Sequence, residues 1–256
     1  MVSRQRQVGW RGWVMRGLAS ILILGLLGLS GGVIWLLTPQ SLLPEAAAAT
    51  VSDETVAVTV SDSEIAFNPA APVSSVGLII YPGAKVPAVG YAPLARMIAN
   101  RGYATFLVSM PGNLALLAVD RAQAVQAARP DITTWVVAGH SLGGVAAAQY
   151  AFRNPATVQG LALWASYPID DLSSRDLAVL SIWGELDRSR ENFDSAQTQA
   201  LLPTDTEFIE IPGGNHEQFG YYTGQANDPI ATVSRAEQQE MIAAATIALL
   251  ESLSVP

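Results

Sequence analysis

Cysteine is absent from this chain of 256 residues, which also has only two histidines and one lysine. The absence of cysteine excludes disulfide bonds, thiolate metal sites and a lipid-modified N-terminal cysteine. Because His140 and His216 are the only histidines, a histidine-based metal site is not expected, and no metal is predicted. Chemistry that needs a histidine base has only these two residues to choose from.

Charge is also absent from one long stretch, between Arg16 and Glu45. Residues 1–43 carry four arginines and no acid, whereas the rest of the chain holds 10 basic and 22 acidic side chains. A domain this acidic repels the phosphates of nucleic acids, so nucleic acid is not expected as a partner.

The uncharged stretch contains an apolar run, residues 18–37, that would cross a bilayer as a helix of about 30 Å. Because the arginines precede this run, the positive-inside rule predicts a cytoplasmic N-terminus. The expected organisation is a basic cytoplasmic segment (1–16), a transmembrane anchor (17–38), a linker (39–54) and an external domain (55–256). The lipid bilayer is then a partner, and the domain lies outside the cytoplasmic membrane.

Two alternatives for this region remain open. Ala46, Ala47 and Ala48 are small residues at which a signal peptide could be cleaved, and the domain would then be secreted. Gly28 and Gly32 form a small-xxx-small pair through which two anchors could dimerise.

From Thr55 onward, strand-like apolar runs alternate with segments of helical periodicity. Continuous apolar runs such as 76–81 are typical of strands buried on both faces, and Ser234 with Glu237 forms a capping box that opens the last helix. The alternation predicts an α/β fold with a mostly parallel central sheet and helices on both faces. The predicted strands are 56–60, 64–67, 76–81, 104–108, 135–138, 158–164, 177–183 and 207–211, and the predicted helices include 91–100, 114–128, 195–202 and 234–252.

The most specific motif is Gly-His-Ser-Leu-Gly-Gly at residues 139–144, between an apolar strand and an alanine-rich helix. A serine on such a strand–turn–helix is held in a strained backbone conformation, with its hydroxyl exposed at the edge of the sheet. Gly139 and Gly143 leave the space that the close approach of strand and helix requires. Ser141 is therefore the predicted nucleophile.

A serine hydroxyl needs a base to remove its proton, and the base needs an acid to fix its tautomer. The chain order in this arrangement is serine, acid, histidine. His140 adjoins the nucleophile and points elsewhere, so His216 is the predicted base. Asp187, just after an apolar strand, is the predicted acid. The alternative acids are Glu185, Asp170 and Asp171.

Negative charge that develops on the substrate carbonyl requires two backbone N–H donors. Leu142, directly after the nucleophile, is expected to supply one donor. The other is expected from the loop after strand 76–81, with Ala84 favoured by position and Lys85 second. Substrate contacts are predicted for Lys85, Asn113, Tyr221 and Tyr222. The two tyrosines lie in a long connection (217–233), where packing over the last helix is an equal alternative.

These motifs together resemble the α/β-hydrolase superfamily from about Thr55 to the C-terminus. Tyr-Pro-Gly-Ala-Lys-Val at 81–86 and Gly-Gly-Asn-His-Glu-Gln-Phe-Gly at 213–220 resemble a small bacterial branch related to dienelactone hydrolase and often membrane-anchored. Dienelactone hydrolases proper use a cysteine nucleophile, which this chain lacks. The resemblance implies serine hydrolase chemistry without a cofactor. Only 12 residues separate Trp164 from Leu177, where many relatives insert a lid, so an open cleft is expected.

The expected function is that of a carboxylesterase-like serine hydrolase acting on a small-molecule ester. Two alternatives keep the same fold. An acyltransferase would use the same acyl-enzyme with another acceptor, and a binding module would keep the fold without the chemistry. Epoxide and haloalkane hydrolysis are disfavoured because they need aspartate where this chain has Ser141.

Overall fold

The computed structural model describes residue 32 and residues 37–70, 73–193 and 195–254. The predicted cytoplasmic segment and almost all of the predicted anchor lie outside these residues. Across the described ranges, no helix combines the length and hydropathy needed to span a bilayer.

Ten strands and seven α-helices occur in the part of the chain that the structure describes. The strands are β1 (Ser41–Leu42), β2 (Val56–Val60), β3 (Glu64–Pro69), β4 (Val76–Tyr81), β5 (Thr105–Val108), β6 (Thr134–His140), β7 (Gly160–Trp164), β8 (Ala178–Gly184), β9 (Glu207–Ile211) and β10 (Tyr222–Thr223). The helices are α1 (Pro44–Ala48), α2 (Ala92–Ala99), α3 (Arg121–Ala128), α4 (Leu142–Arg153), α5 (Arg190–Phe193), α6 (Ala196–Gln199) and α7 (Arg235–Ser252). Single 3₁₀ turns lie at Ala88–Tyr91, Pro111–Asn113, Ala115–Leu117 and Glu217–Phe219.

Eight of these strands form the central sheet, in the order β2-β3-β5-β4-β6-β7-β8-β9. The six strands from β5 to β9 run parallel, and β2 and β3 add an antiparallel edge. The mostly parallel α/β sheet predicted from the sequence is therefore observed. A second, two-stranded antiparallel sheet joins β1 to β10.

Two hydrophobic cores cover the faces of the central sheet. Every residue of β4 is buried, and its side chains alternate between the cores, as a pleated strand requires. Leu78 and Ile80 pack into the core that includes α2 and α7. Ile79 and Tyr81 pack into the core that includes α3 and α4. The continuous apolar run at 76–81 is thus explained by burial on both faces.

One predicted helix, 114–128, is interrupted in the structure. A 3₁₀ turn covers Ala115–Leu117, and α3 begins only at Arg121. The hydroxyl of Tyr81 donates to the carbonyl of Val119 at 2.6 Å and accepts the N–H of Ala122 at 3.2 Å. This buried side chain bonds the backbone where the predicted helix breaks, and it satisfies one N–H group at the start of α3.

The expected linker, 39–54, also differs from the structure, because this segment packs against the domain. The compact unit extends from Pro39 to Pro256. Ala46 is completely buried, and Arg96 donates to the carbonyl of Ala49 at 2.8 Å and pairs with Asp53 at 2.6 Å. Small residues in this segment permit close packing as readily as they would permit flexibility. Composition alone therefore does not distinguish a packed segment from a linker.

Candidate active site

The candidate site lies at the carboxyl edge of the sheet, where two pairs of neighbouring strands end side by side. Tyr81 at the end of β4 pairs with Gly139 of β6. Gly184 at the end of β8 pairs with Ile211 at the end of β9. Ligands in open α/β sheets bind beyond such carboxyl ends. The loops that leave these strands carry all the residues of the predicted catalytic groups.

Ser141 connects β6 to α4 in a left-handed backbone conformation, with φ 52° and ψ −124°. The turn is tight because a Cβ at Gly139 would lie 2.3 Å from the backbone of Gly143, and one at Gly143 would lie 2.2 Å from the carbonyl of Tyr81. The N–H of Ser141 donates to the carbonyl of Trp164 at 3.0 Å. The glycines and this hydrogen bond hold the serine in its strained position.

His216 and Asp187 form a buried, hydrogen-bonded pair beside this turn. The His216 Nδ1 to Asp187 Oδ2 distance is 2.7 Å, and the two residues are 6% and 3% exposed. The other oxygen, Oδ1, accepts the N–H of Ser189 at 2.8 Å and its hydroxyl at 2.6 Å. A carboxylate with these partners holds the imidazole with its proton on Nδ1, so that Nε2 is left as the acceptor.

Two of the three alternative acids have other partners, and Oδ2 of the third, Asp170, is buried without a hydrogen-bond partner among the described residues. Glu185 accepts the N–H of Gly213 at 2.7 Å and so holds the start of the histidine loop. Asp171 accepts the N–H and the hydroxyl of Ser173 on the surface. Of the four candidate acids, Asp187 is thus the one that contacts His216.

The histidine loop is held by polar side chains that were not predicted. Asp228 accepts the N–H groups of His216 at 3.2 Å and Glu217 at 2.7 Å, one on each carboxylate oxygen. Burial raises the pKa of Asp228, and these two N–H donors partly oppose the rise. Gln238 of α7, also buried, accepts the N–H of Asn215 and donates to its carbonyl. Glutamine on a helix and aspartate in a loop carry no local signal for such a role.

The two predicted oxyanion donors are both available. Leu142 is the first residue of α4, where N–H groups have no partner within the helix. In the other loop, the N–H of Gly83 donates to the Tyr91 hydroxyl and that of Lys85 to the carbonyl of Asn113. Among the described residues, no group accepts the N–H of Ala84 or Leu142. Within the described part of its loop, Ala84 is thus the residue whose N–H group has no hydrogen-bond partner.

His140 lies in a completely buried aromatic pocket under the site. Its Nδ1 is 2.8 Å from the hydroxyl of Tyr91. Its ring stacks on Phe219 at 5.3 Å, and its centroid is 4.5 Å from that of His216. Burial, and secondarily the nearby His216, holds the pKa of His140 well below its ordinary value. Since Tyr91 also accepts the Gly83 N–H, its hydroxyl links the oxyanion loop to His140.

The four residues predicted to contact substrate are placed differently. Lys85 and Asn113 lie together, joined through their backbones at 2.8 Å. Tyr221 is partly exposed, with the Arg235 guanidinium 5.9 Å from its ring centroid. Tyr222 is completely buried, and its ring centroid is 6.3 Å from that of His140. The alternative of packing therefore applies to Tyr222, whose side chain is not accessible to a substrate here.

Backbone strain is concentrated at this edge. Among the described residues other than glycine, five have positive φ, and four of these follow the adjacent strands β5, β4, β6 and β7. They are Asn113, Lys85, Ser141 and Ala165. Such strain is found preferentially at functional sites. Within the described ranges, no group of three or more acidic or histidine side chains is placed to hold a metal ion.

Comparison with known proteins agrees with this architecture. The sequence profile of the "Alpha/beta hydrolase family" matches residues 77–240. No curated protein matches the chain. A solved esterase structure from Pyrobaculum calidifontis matches this chain with a TM-score of 0.57 and 16% sequence identity. The match covers 82% of this chain and 89% of the esterase chain. The dienelactone hydrolase from Anabaena variabilis has a TM-score of 0.57 at 16% identity, over 76% and 99%. A bacterial heroin esterase has a TM-score of 0.53 at 15% identity, over 80% and 88%.

Proposed function

The chain belongs to the alpha/beta hydrolase family, and on that premise we propose that it is a serine hydrolase that cleaves a carboxylic ester through an acyl-enzyme. The observation that carries this proposal is the strained Ser141 turn next to the buried His216–Asp187 pair. The similar solved structures named as esterases share only the fold at this identity. Their names support ester cleavage as the reaction to test first.

In the proposed reaction, Ser141 attacks the ester carbonyl while His216 takes its proton at Nε2. Asp187 stabilises the imidazolium that forms, because its carboxylate already accepts the Nδ1 proton at 2.7 Å. The N–H groups of Leu142 and Ala84 bind the developing oxyanion. His216 then returns the proton to the leaving alcohol. In the second half, water attacks the acyl carbonyl and gives a proton to His216, which passes it to the Ser141 oxygen as the acyl bond breaks and the carboxylic acid leaves.

Labelling with a tagged fluorophosphonate tests this proposal directly, because the probe reacts with activated serines. Wild-type protein should be labelled and should hydrolyse p-nitrophenyl esters, whereas Ser141→Ala should do neither. The unlabelled variant must keep the circular dichroism spectrum of the wild type, so that loss of the fold is ruled out as the cause. A folded wild-type protein that resists the probe would overturn the proposal.

We also propose that residues 17–38 anchor the domain outside the bacterial cytoplasmic membrane, as expected for a small anchored branch related to dienelactone hydrolase. The support is the length of the apolar run and the arginines that precede it. Fractionation of cells that carry the labelled protein tests this proposal. A band in the membrane fraction that resists carbonate extraction is expected, and a band confined to the soluble fraction would contradict it.

A further inference from the structure

Residues Gln40–Leu43, at the start of the compact unit, join the oxyanion loop to the segment that follows His216. We call these four residues the strap. The N–H of Gln40 donates to the carbonyl of Lys85 at 2.8 Å. The next two residues form β1 and pair with β10. The N–H of Leu43 then donates to the carbonyl of Tyr221 at 3.0 Å. The strap thus bonds to the oxyanion loop at one end and to the loop after His216 at the other.

On the oxyanion side, the strap completes the fixation of one strained residue. Lys85 has a φ of 65°, a conformation that a non-glycine residue keeps only when its surroundings hold it. Its N–H is bonded to Asn113, and its carbonyl is bonded to Gln40. Both backbone groups of the residue after Ala84 are therefore held, which limits rotation of the Ala84 N–H away from the oxyanion position.

On the histidine side, the strap adds a strand to the loop after His216, because β10 in that loop pairs with no other strand among the described residues. Leu42 pairs with Tyr222, which packs beside His140. The N–H of Tyr221 is bonded to the carbonyl of Gly90 at 2.7 Å, and its carbonyl is bonded to the strap. The 3₁₀ turn that precedes this strand begins at Glu217, directly after His216. Displacement of β10 would therefore reach the histidine within a few residues.

The strap is held down by the segment that follows it. Ala46 of α1 is completely buried, and Ala49 is nearly so. The Arg96 side chain donates to the carbonyls of Ala49 and Val51 and pairs with Asp53. These contacts fix the chain to α2, and the strap directly precedes this fixed segment.

We propose that the strap is a positioning element of the active site, which holds the Ala84 donor and the His216 loop in register with each other. The inference builds on the proposed serine hydrolase function. It replaces the idea of a passive spacer with a segment on which turnover depends. Displacement of catalytic groups by about 1 Å commonly costs on the order of 100-fold in rate, so modest loosening of the strap is expected to be measurable.

A pair of substitutions at Gln40 in the full-length chain tests the proposal. Gln40→Pro removes the N–H that Lys85 accepts, whereas Gln40→Ala keeps it. We expect kcat for p-nitrophenyl acetate to fall about tenfold in Gln40→Pro with KM changed less than about twofold, because positioning acts on the transition state more than on ground-state binding. Gln40→Ala should keep most of the wild-type kcat.

Hydrogen exchange gives a readout that does not depend on activity. In Gln40→Pro, amides at 83–90 and 217–224 should exchange faster than in Gln40→Ala, while amides of α4 should be unchanged. This result would support the strap even if the wild-type protein failed to hydrolyse esters, which would overturn only the proposed function. Equal exchange and equal kcat in the two variants would overturn the strap. A uniform loss of protection across the domain would also overturn it, because the strap would then serve only global stability.

Discussion

The two histidines of the chain are buried side by side, yet their electrostatic surroundings differ. His140 is 1% exposed and His216 is 6% exposed, with ring centroids 4.5 Å apart. Nδ1 of His216 meets the carboxylate of Asp187 at 2.7 Å, whereas Nδ1 of His140 meets the neutral hydroxyl of Tyr91 at 2.8 Å. His140 is the neighbour of the predicted nucleophile in the sequence, whereas His216 is the histidine with the acidic partner.

This difference shows that the partner, more than burial, decides what a histidine can do. A buried imidazolium is costly unless a negative charge compensates it. The carboxylate of Asp187 supplies that compensation to His216. His140 meets the neutral Tyr91 hydroxyl instead, and its pKa is held well below the ordinary value. A neutral His140 also places no second positive charge beside a protonated His216.

The largest expected effect separates the two histidines by chemistry. His216→Ala should lower kcat by on the order of 10⁵-fold, because the proposed base is lost. His140→Gln should lower kcat by no more than about tenfold, because this side chain moves no proton in the proposed reaction. Steady-state hydrolysis of p-nitrophenyl acetate measures both changes. Equal losses of kcat in the two variants would contradict the assignment of His216 alone as the base.

The next effect removes the charge that distinguishes His216. Asp187→Asn should lower kcat about 10⁴-fold, because an amide neither stabilises the imidazolium nor fixes the tautomer. Glu185→Gln is the matched control, since Glu185 bonds the N–H of Gly213 and not the histidine. A comparable loss of kcat in the control would show that the effect does not depend on contact between the acid and the histidine.

A smaller effect concerns stability below pH 6.5, where an unfolded histidine takes up a proton. His140 stays neutral in the folded state, so the unfolded state binds more protons there, and stability falls as pH falls. Each such histidine contributes a slope of about 1.4 kcal/mol per pH unit. Urea unfolding of the wild type between pH 6.5 and pH 5 should show this slope. In His140→Gln the slope should be smaller by about 1.4 kcal/mol per pH unit, which corresponds to one proton. An unchanged slope would show that His140 is protonated in the folded protein.

The smallest effect concerns the hydroxyl that distinguishes His140. Tyr91→Phe should lower the free energy of unfolding by about 1–3 kcal/mol, because the buried Gly83 N–H and His140 Nδ1 lose their partner. Tyr222→Phe is the matched control, since the Tyr222 hydroxyl is buried with no hydrogen-bond partner in the described part of the chain. That control should be neutral or slightly stabilising in urea unfolding. A Tyr91→Phe variant as stable as the control would show that the bridge contributes nothing.

Local patterns predicted the parts of the molecule that neighbouring residues determine. Strands 76–81 and 207–211 have the predicted bounds, and the capping box of Ser234 and Glu237 opens α7 as expected. The hydrogen-bonded pairing of His216 with Asp187 was also predicted, since chain order and position after strands constrain both residues. The strand and capping signals each lie within a few neighbouring residues, so one sequence is enough to find them.

The supporting contacts were not predicted, because they join residues far apart in the chain. Tyr91 meets His140 across 49 positions, and Arg96 reaches Ala49 across 47. No periodicity or motif marks such partners, and Asp228 looks like any other loop acid until the fold brings it under His216. The same reason explains the strap, whose composition is that of a linker.

The arrangement of strand ends has a mechanical consequence. The serine and oxyanion loops leave the adjacent strands β6 and β4, and the acid and histidine loops leave the adjacent strands β8 and β9. Only β7 separates these two halves, and its ladders to β6 and β8 would have to shear for the halves to move apart. Motion that changes the spacing of the four predicted catalytic groups is therefore restricted to the loops that carry them.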